Sequence, residues 1–128
     1  MRPYIHPDFL LQTEAARRLY HGFAAQEPIF DFHCHLSPQE IREDARFETI
    51  TQVWLGGDHY KWRLMRANGV PEELITGAGD PYEKFLAWAR TLEKSVGNPL
   101  YAWTHMELKN YFGGEELLSE KTAPAIWE

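Results

Sequence analysis

Residues 28–36 read Pro-Ile-Phe-Asp-Phe-His-Cys-His-Leu, and this stretch limits the choice of fold more than any other in the chain. Ile29, Phe30 and Phe32 are β-branched or aromatic, Pro28 bounds the run in front, and Ser37-Pro38 closes it behind, so the pattern predicts a short buried strand over 28–36. Side chains alternate along a strand. That alternation puts Asp31, His33 and His35 on one face and Phe30, Phe32 and Cys34 on the other, separating polar from apolar groups. Cys34 is accordingly expected in the core. One strand makes no sheet, and no second convincing strand follows in the sequence, so this one is expected to pair with strands outside the 128 residues.

Two imidazoles on one face of a stiff backbone are a suitable pair of neutral donors for a divalent metal, which makes His33 and His35 candidate metal ligands. Asp31, one pleat upstream, has two readings: a further ligand, or a carboxylate that orients an imidazole by hydrogen bonding its ring nitrogen. The plain alternative is a strand end with ordinary polar residues, one histidine being satisfied by backbone. Ser37-Pro38-Gln39-Glu40 reads as a capping box, with Ser as the cap, Pro at the first helical position and Glu three residues on. A strand that runs directly into a helix start is how α/β proteins place sites beyond the carboxyl ends of their strands, which favours a pocket next to His33 and His35.

The rest of the chain carries helix signals. Residues 1–11 have no period and contain Pro3 and Pro7. Thr13 then caps a helix from Glu14 to about Ala24, with Ala15, Ala16, Leu19, Tyr20 and Phe23 on one side and Arg17, Arg18 and a solvated His21 on the other. Thr49–Leu55 is a short amphipathic piece stopped by Gly56-Gly57. Asp58 caps a helix to about Asn68, and Pro71–Ile75 adds a turn. Asp80-Pro81-Tyr82-Glu83 is a second capping box, opening a helix whose buried stripe is Phe85, Leu86, Trp88, Ala89 and Leu92. Asn98-Pro99 opens another, through Trp103, Met106 and Leu108 to about Asn110, where His105 reads as a packing residue. The last apolar start, from Thr122, is followed by about one turn of chain, too little for an isolated helix. Together with the unpaired strand, this suggests the amino-terminal piece of a longer enzyme, so that 1–128 is a single incomplete domain with a helical region over 37–128. His6 carries no usable signal.

Composition removes several function classes. With 19 acidic and 13 basic side chains the formal charge is −6, which gives no general attraction to nucleic acid or to an anionic membrane surface. Cys34 is the only cysteine, so no disulfide forms within the chain, and the amino terminus lacks the apolar core of a signal peptide. No apolar run approaches the roughly 20 residues of a membrane span. These features predict a cytoplasmic setting. Five tryptophans in 128 residues suit a packed globule.

Four stretches together resemble the uronate isomerase family, also called glucuronate isomerase, within the amidohydrolase-like metal-dependent barrels. They are Asp8 to His21 (DFLLQTEAARRLYH), Pro28 to Leu36, the run GDHYKWRLMRANGV from Gly57 to Val70, and GNPLYAWTHMEL from Gly97 to Leu108. His-x-His alone would indicate only the superfamily; the Gly-Asp-His-Tyr-Lys-Trp-Arg run at this distance behind it is more specific. The resemblance implies an α/β fold, a (β/α)8 barrel whose first strand ends in His33 and His35, followed by a helical insertion. It also implies an aldose–ketose isomerase that converts D-glucuronate to D-fructuronate and D-galacturonate to D-tagaturonate. A divalent ion, commonly zinc, would be bound by His33 and His35, with His59 and Tyr60 at a small sugar-acid substrate. The family's remaining metal ligand, an aspartate on the last strand, and its partner arginine have no counterpart in these residues.

Isomerisation through an enediol needs an acid/base group and a carbonyl polariser. Tyr60 suits the first role if a cation lies close, and His59 suits hydrogen bonding to the sugar's carboxylate or hydroxyls. The competing reading of His59-Tyr60 beside Trp62 is helix packing. Lys61, Arg63 and Arg66 are either a carboxylate-binding cluster or a solvated helix face. Two rival readings of the whole chain are a metal-dependent hydrolase of the same superfamily and a helical interaction module without chemistry. A homo-oligomer is compatible with the isomerase reading.

Overall fold

The structure, a computed structural model, describes residues 2–127 and divides into two compact units, residues 1–34 and 35–128. The first unit is built round Asp8. The chain turns over 7–10 and enters helix α1, Glu14–Gly22, where Thr13 Oγ1 accepts the Ala16 N–H at 3.1 Å as its N-cap. Asp8 lies 3.2 Å from Arg2 and 3.8 Å from Arg17, while His21 Nε2 approaches Asp8 Oδ1 at 2.8 Å. That contact with His21 is the main reason the Asp8 carboxyl is held below the usual carboxylate range, with the charges of Arg17, His21 and Arg2 adding to it and desolvation opposing. His21, expected to be merely solvated, is therefore tied to the lead-in segment. Helix α1 buries none of its residues, and Leu19 and Phe23 stay exposed.

No strand occurs among the described residues, and the partners expected for a strand over 28–36 lie outside them. Ile29, Phe30 and Phe32 are 94%, 89% and 88% exposed. The physical reason lies in the backbone: a strand is stabilised only by a ladder to a neighbour, and an unpaired segment takes local bonds instead. Asp31 provides one, its Oδ1 accepting the His33 N–H at 3.1 Å. Cys34, expected in the core, is exposed among the described residues, which hold no sheet face for it to enter.

Among the described residues the second unit holds six α-helices, and short side chains set the starts of the first five. These are α2 (Pro38–Arg42), α3 (Ile50–Leu55), α4 (His59–Ala67), α5 (Pro81–Glu93), α6 (Pro99–Tyr111) and α7 (Ala123–Trp127). Ser37, Thr49, Asp58, Asp80 and Asn98 each accept a backbone N–H from the first turn of α2, α3, α4, α5 and α6 respectively. A 3₁₀ turn over Glu72–Leu74 follows α4. Helix α5 packs against α3, α4 and α7, and its Phe85, Trp88, Ala89 and Leu92 are buried as the apolar stripe predicts, with Leu86 at the edge of the core. Trp54 stacks on Phe85 at 6.0 Å between ring centres, and Trp127 of α7 meets Phe85 at 5.4 Å. Polar bonds fix the helices to one another: Thr51 Oγ1 donates to the Pro81 carbonyl at 2.7 Å and Asn68 Nδ2 to Thr91 Oγ1 at 3.1 Å. No helix of the described residues is long and apolar enough to cross a membrane.

Candidate active site

The site is assembled where α3 hands over to α4. Gly56 follows the last turn of α3, and a Cβ there would collide with the Gln52 carbonyl, so glycine permits the tight reversal that brings Asp58 to the head of α4. Asp58 Oδ1 accepts the Tyr60 N–H at 2.9 Å and the Lys61 N–H at 3.4 Å. Its other oxygen accepts from Lys61 Nζ at 2.9 Å. Two of the first-turn donors of α4 are thus satisfied, and His59 and Tyr60 stand in that first turn.

His35 joins this end from a segment 23 positions earlier. Its ring lies over that of His59 at 4.8 Å with 29° between planes, and against Tyr60 at 4.8 Å with 41°. His59 and Tyr60 complete the trio at 4.7 Å. His35 Nδ1 is 3.6 Å from Asp58 Oδ1. Tyr60 remains 42% exposed, and the Arg63 guanidinium sits 5.6 Å from the centre of its ring. Of the residues singled out in the sequence, the structure gathers His35, His59 and Tyr60; His33 belongs to the first unit.

Beside the trio is an open cavity of about 860 Å³, whose walls include His35, Asp58, Lys61, Trp54 and Glu107 but neither His59 nor Tyr60. Charge in this cavity is concentrated. Lys61 is only 5% exposed, ion-paired to Asp58, with its ammonium 6.0 Å from the centre of the Trp54 ring. Burial works to raise the Asp58 carboxyl, yet the hydrogen bond and charge of Lys61 and the two backbone N–H groups outweigh it and hold Asp58 below the usual range. Burial pushes the Glu107 carboxyl up, with Lys61 and the Trp54 indole pulling the other way and Asp58 adding to the rise. Sequence reasoning missed Glu107 and took Asp58 only as a cap. The one available signal was Lys61, placed three residues after that cap.

The basic residues do not form the cluster considered from sequence. Lys61 is committed to Asp58, Arg66 to Glu72 with Nε–Oε2 at 2.8 Å, and Arg63 to the face of Tyr60. His105 is a packing residue, as expected: it is buried and bonded at both ring nitrogens, 2.7 Å from the Tyr101 carbonyl and 2.9 Å from the Leu118 N–H.

Imidazole nitrogen is a donor type that suits zinc-like divalent ions, and His33 and His35 each offer one. No group of three or more His, Cys, Asp or Glu that could hold a metal occurs among the described residues, whereas a catalytic zinc has three protein ligands.

Comparison with known proteins matches the whole chain, residues 1–128, to the family described as glucuronate isomerase. A uronate isomerase of Caldicellulosiruptor saccharolyticus is 60% identical over all 128 residues, and one of Caldanaerobacter subterraneus subsp. tengcongensis is 61% identical over the same span. In each case the match takes in 100% of this chain and 28% of the relative, so the chain spans little more than a quarter of the relatives' length. The crystal structure of uronate isomerase from Thermotoga maritima, a TIM-barrel enzyme, superposes with a TM-score of 0.91 at 40% identity, covering 98% of this chain and 28% of that one. The helices and their order are therefore those of the corresponding stretch of a (β/α)8-barrel enzyme. With the family matched from the first residue to the last, at close identity and with the same fold, this chain belongs to the glucuronate isomerase family.

Proposed function

We propose that these residues supply part of the active site of a cytoplasmic uronate isomerase of the amidohydrolase superfamily, interconverting D-glucuronate with D-fructuronate and D-galacturonate with D-tagaturonate. The observation that carries this reading is the packing of His35, His59 and Tyr60 into one group of rings at the head of α4, in a chain matched throughout to glucuronate isomerases.

The reaction removes the proton from C2 of the aldose while the C1 oxygen gains one, giving an enediol. C1 then takes a proton as the C2 oxygen loses one, so the atoms balance within the sugar. A group that both accepts and donates a proton is needed at the C1–C2 edge. In this reading Tyr60 is that group. It stands half-exposed in the first turn of α4, with the Arg63 guanidinium 5.6 Å from the centre of its ring. His59, in ring contact with both His35 and Tyr60, orients the substrate by hydrogen bonding its carboxylate or a hydroxyl. His33 and His35 would hold a divalent ion, zinc being the common choice, together with ligands from outside these 128 residues. What that ion supplies when bound is positive charge against the sugar's carbonyl oxygen.

The test is direct. Purified full-length protein, incubated with D-glucuronate or D-galacturonate, should form the matching keto acid, followed by proton NMR. In D2O the ketose should gain deuterium at C1 to the extent that the carried proton exchanges with solvent. Absence of turnover with both uronates would remove the proposal.

A further inference from the structure

Asp58 makes more contacts than a helix cap requires. Capping α4 needs only an oxygen at the helix N-terminus, and asparagine does this as well as aspartate. Here a charge is used, and its partner Lys61 is a cation almost wholly removed from water. A buried ion pair adds little stability compared with an apolar pair of the same size, so its contribution is better sought in fixing geometry. The geometry is specific: one carboxylate oxygen accepts from Lys61 Nζ, and the other accepts the N–H groups of Tyr60 and Lys61 and lies 3.6 Å from His35 Nδ1.

We propose that Asp58, locked in orientation by Lys61, is the positioning residue of the ring cluster. A single carboxylate sets the angle of the His35 imidazole and, through the first turn of α4, the placement of His59 and Tyr60. The inference rests on the isomerase reading for its catalytic consequence, whereas the approach of two separate segments to one side chain belongs to the fold itself. Carboxylates that orient a ligating imidazole commonly alter metal affinity or activity by about 10- to 100-fold when removed. Lys61 then acts one step further out, by denying the Asp58 carboxylate any other rotamer.

The decisive experiment uses the full-length protein and two variants, Asp58→Asn and the double variant Asp58→Asn/Lys61→Met. Both keep the capping oxygen, and the double variant leaves no unpaired buried charge, so it should fold even if the single one is weakened. Three quantities are measured: melting temperature, zinc affinity by competition with a chelator, and kcat with KM for D-glucuronate. The expected result for the double variant is a melting temperature near that of the parent, zinc affinity lower by about 10- to 100-fold, and kcat reduced over the same range with KM little changed. Parental zinc affinity and kcat in the double variant would overturn the proposal. So would a kcat loss that follows a lowered melting temperature while the folded fraction binds zinc normally. A parent protein inactive on both uronates would sink the isomerase reading alone, because the zinc measurement still decides what Asp58 does.

Discussion

His105 allows a prediction whose size follows from the structure. The Tyr101 carbonyl can only accept, so His105 Nδ1 carries the proton and Nε2 accepts from the Leu118 N–H at 2.9 Å. The residue is 3% exposed, and its ring sits 4.5 Å from that of Tyr101. Replacing it with alanine leaves the Tyr101 carbonyl its intrahelical partner but strips the buried Leu118 N–H of its acceptor, at a cost of about 1–3 kcal/mol. Incomplete collapse round the lost ring adds about 1–2 kcal/mol, for a total of roughly 2–5 kcal/mol. The assay is hydrogen–deuterium exchange, read at the Leu118 amide. Since about 1.36 kcal/mol is a factor of ten, the orphaned bond alone should speed exchange there by roughly 5- to 150-fold. Acid should act in the same direction. Burial lowers the imidazole pKa, with the Tyr101 bond opposing, so the unfolded state binds a proton that the folded state resists. The stability tied to neutral His105 is therefore fully present well above about pH 6.5 and is lost as the pH falls below that value. Unchanged Leu118 exchange in His105→Ala, or protection flat between pH 7.5 and 5.5, would refute this account.

Other outcomes can be stated more briefly. Tyr60→Phe should lower kcat for D-glucuronate far more than it raises KM, a loss confined to the transition state; steady-state kinetics with near-normal kcat would reduce Tyr60 to a packing role. His33→Ala and His35→Ala should each lower the metal content of the purified full-length protein, measured by elemental analysis, and unchanged stoichiometry in both would exclude them as ligands. Glu107→Gln should raise the melting temperature at pH 7. Burial places its carboxyl above the normal range, so the ionised side chain costs stability once the pH exceeds its unfolded value, and the amide removes that cost. A lower melting temperature would show that Glu107 is instead held as a needed partner of Lys61.

Helix starts in this chain are local events, and the sequence shows them. Ser37, Thr49, Asp58, Asp80 and Asn98 each act within three residues of themselves, so the side chain and the N–H it receives are written side by side. The same holds for the stripe of α5, since helical periodicity alone brings Phe85, Trp88, Ala89 and Leu92 to one face. The motifs mark His35, His59 and Tyr60 as candidates, but not as neighbours. The His35–His59 contact joins residues 24 positions apart, across the turn at Gly56 and beside the bond network of Asp58.

Tertiary structure decided what no local pattern could. Lys61 looks like a surface lysine in sequence, yet the walls of Trp54 and Glu107 bury it and leave Asp58 as its partner. The apolar run at 28–36 reads as a buried strand because alternation describes what the residues suit. Whether a strand exists depends on a neighbour to complete its hydrogen bonds; the described residues contain none, and among them Ile29, Phe30 and Phe32 are exposed. Caps and stripes are settled within a few residues of chain, whereas burial and ladder pairing are properties of whatever else is folded beside it.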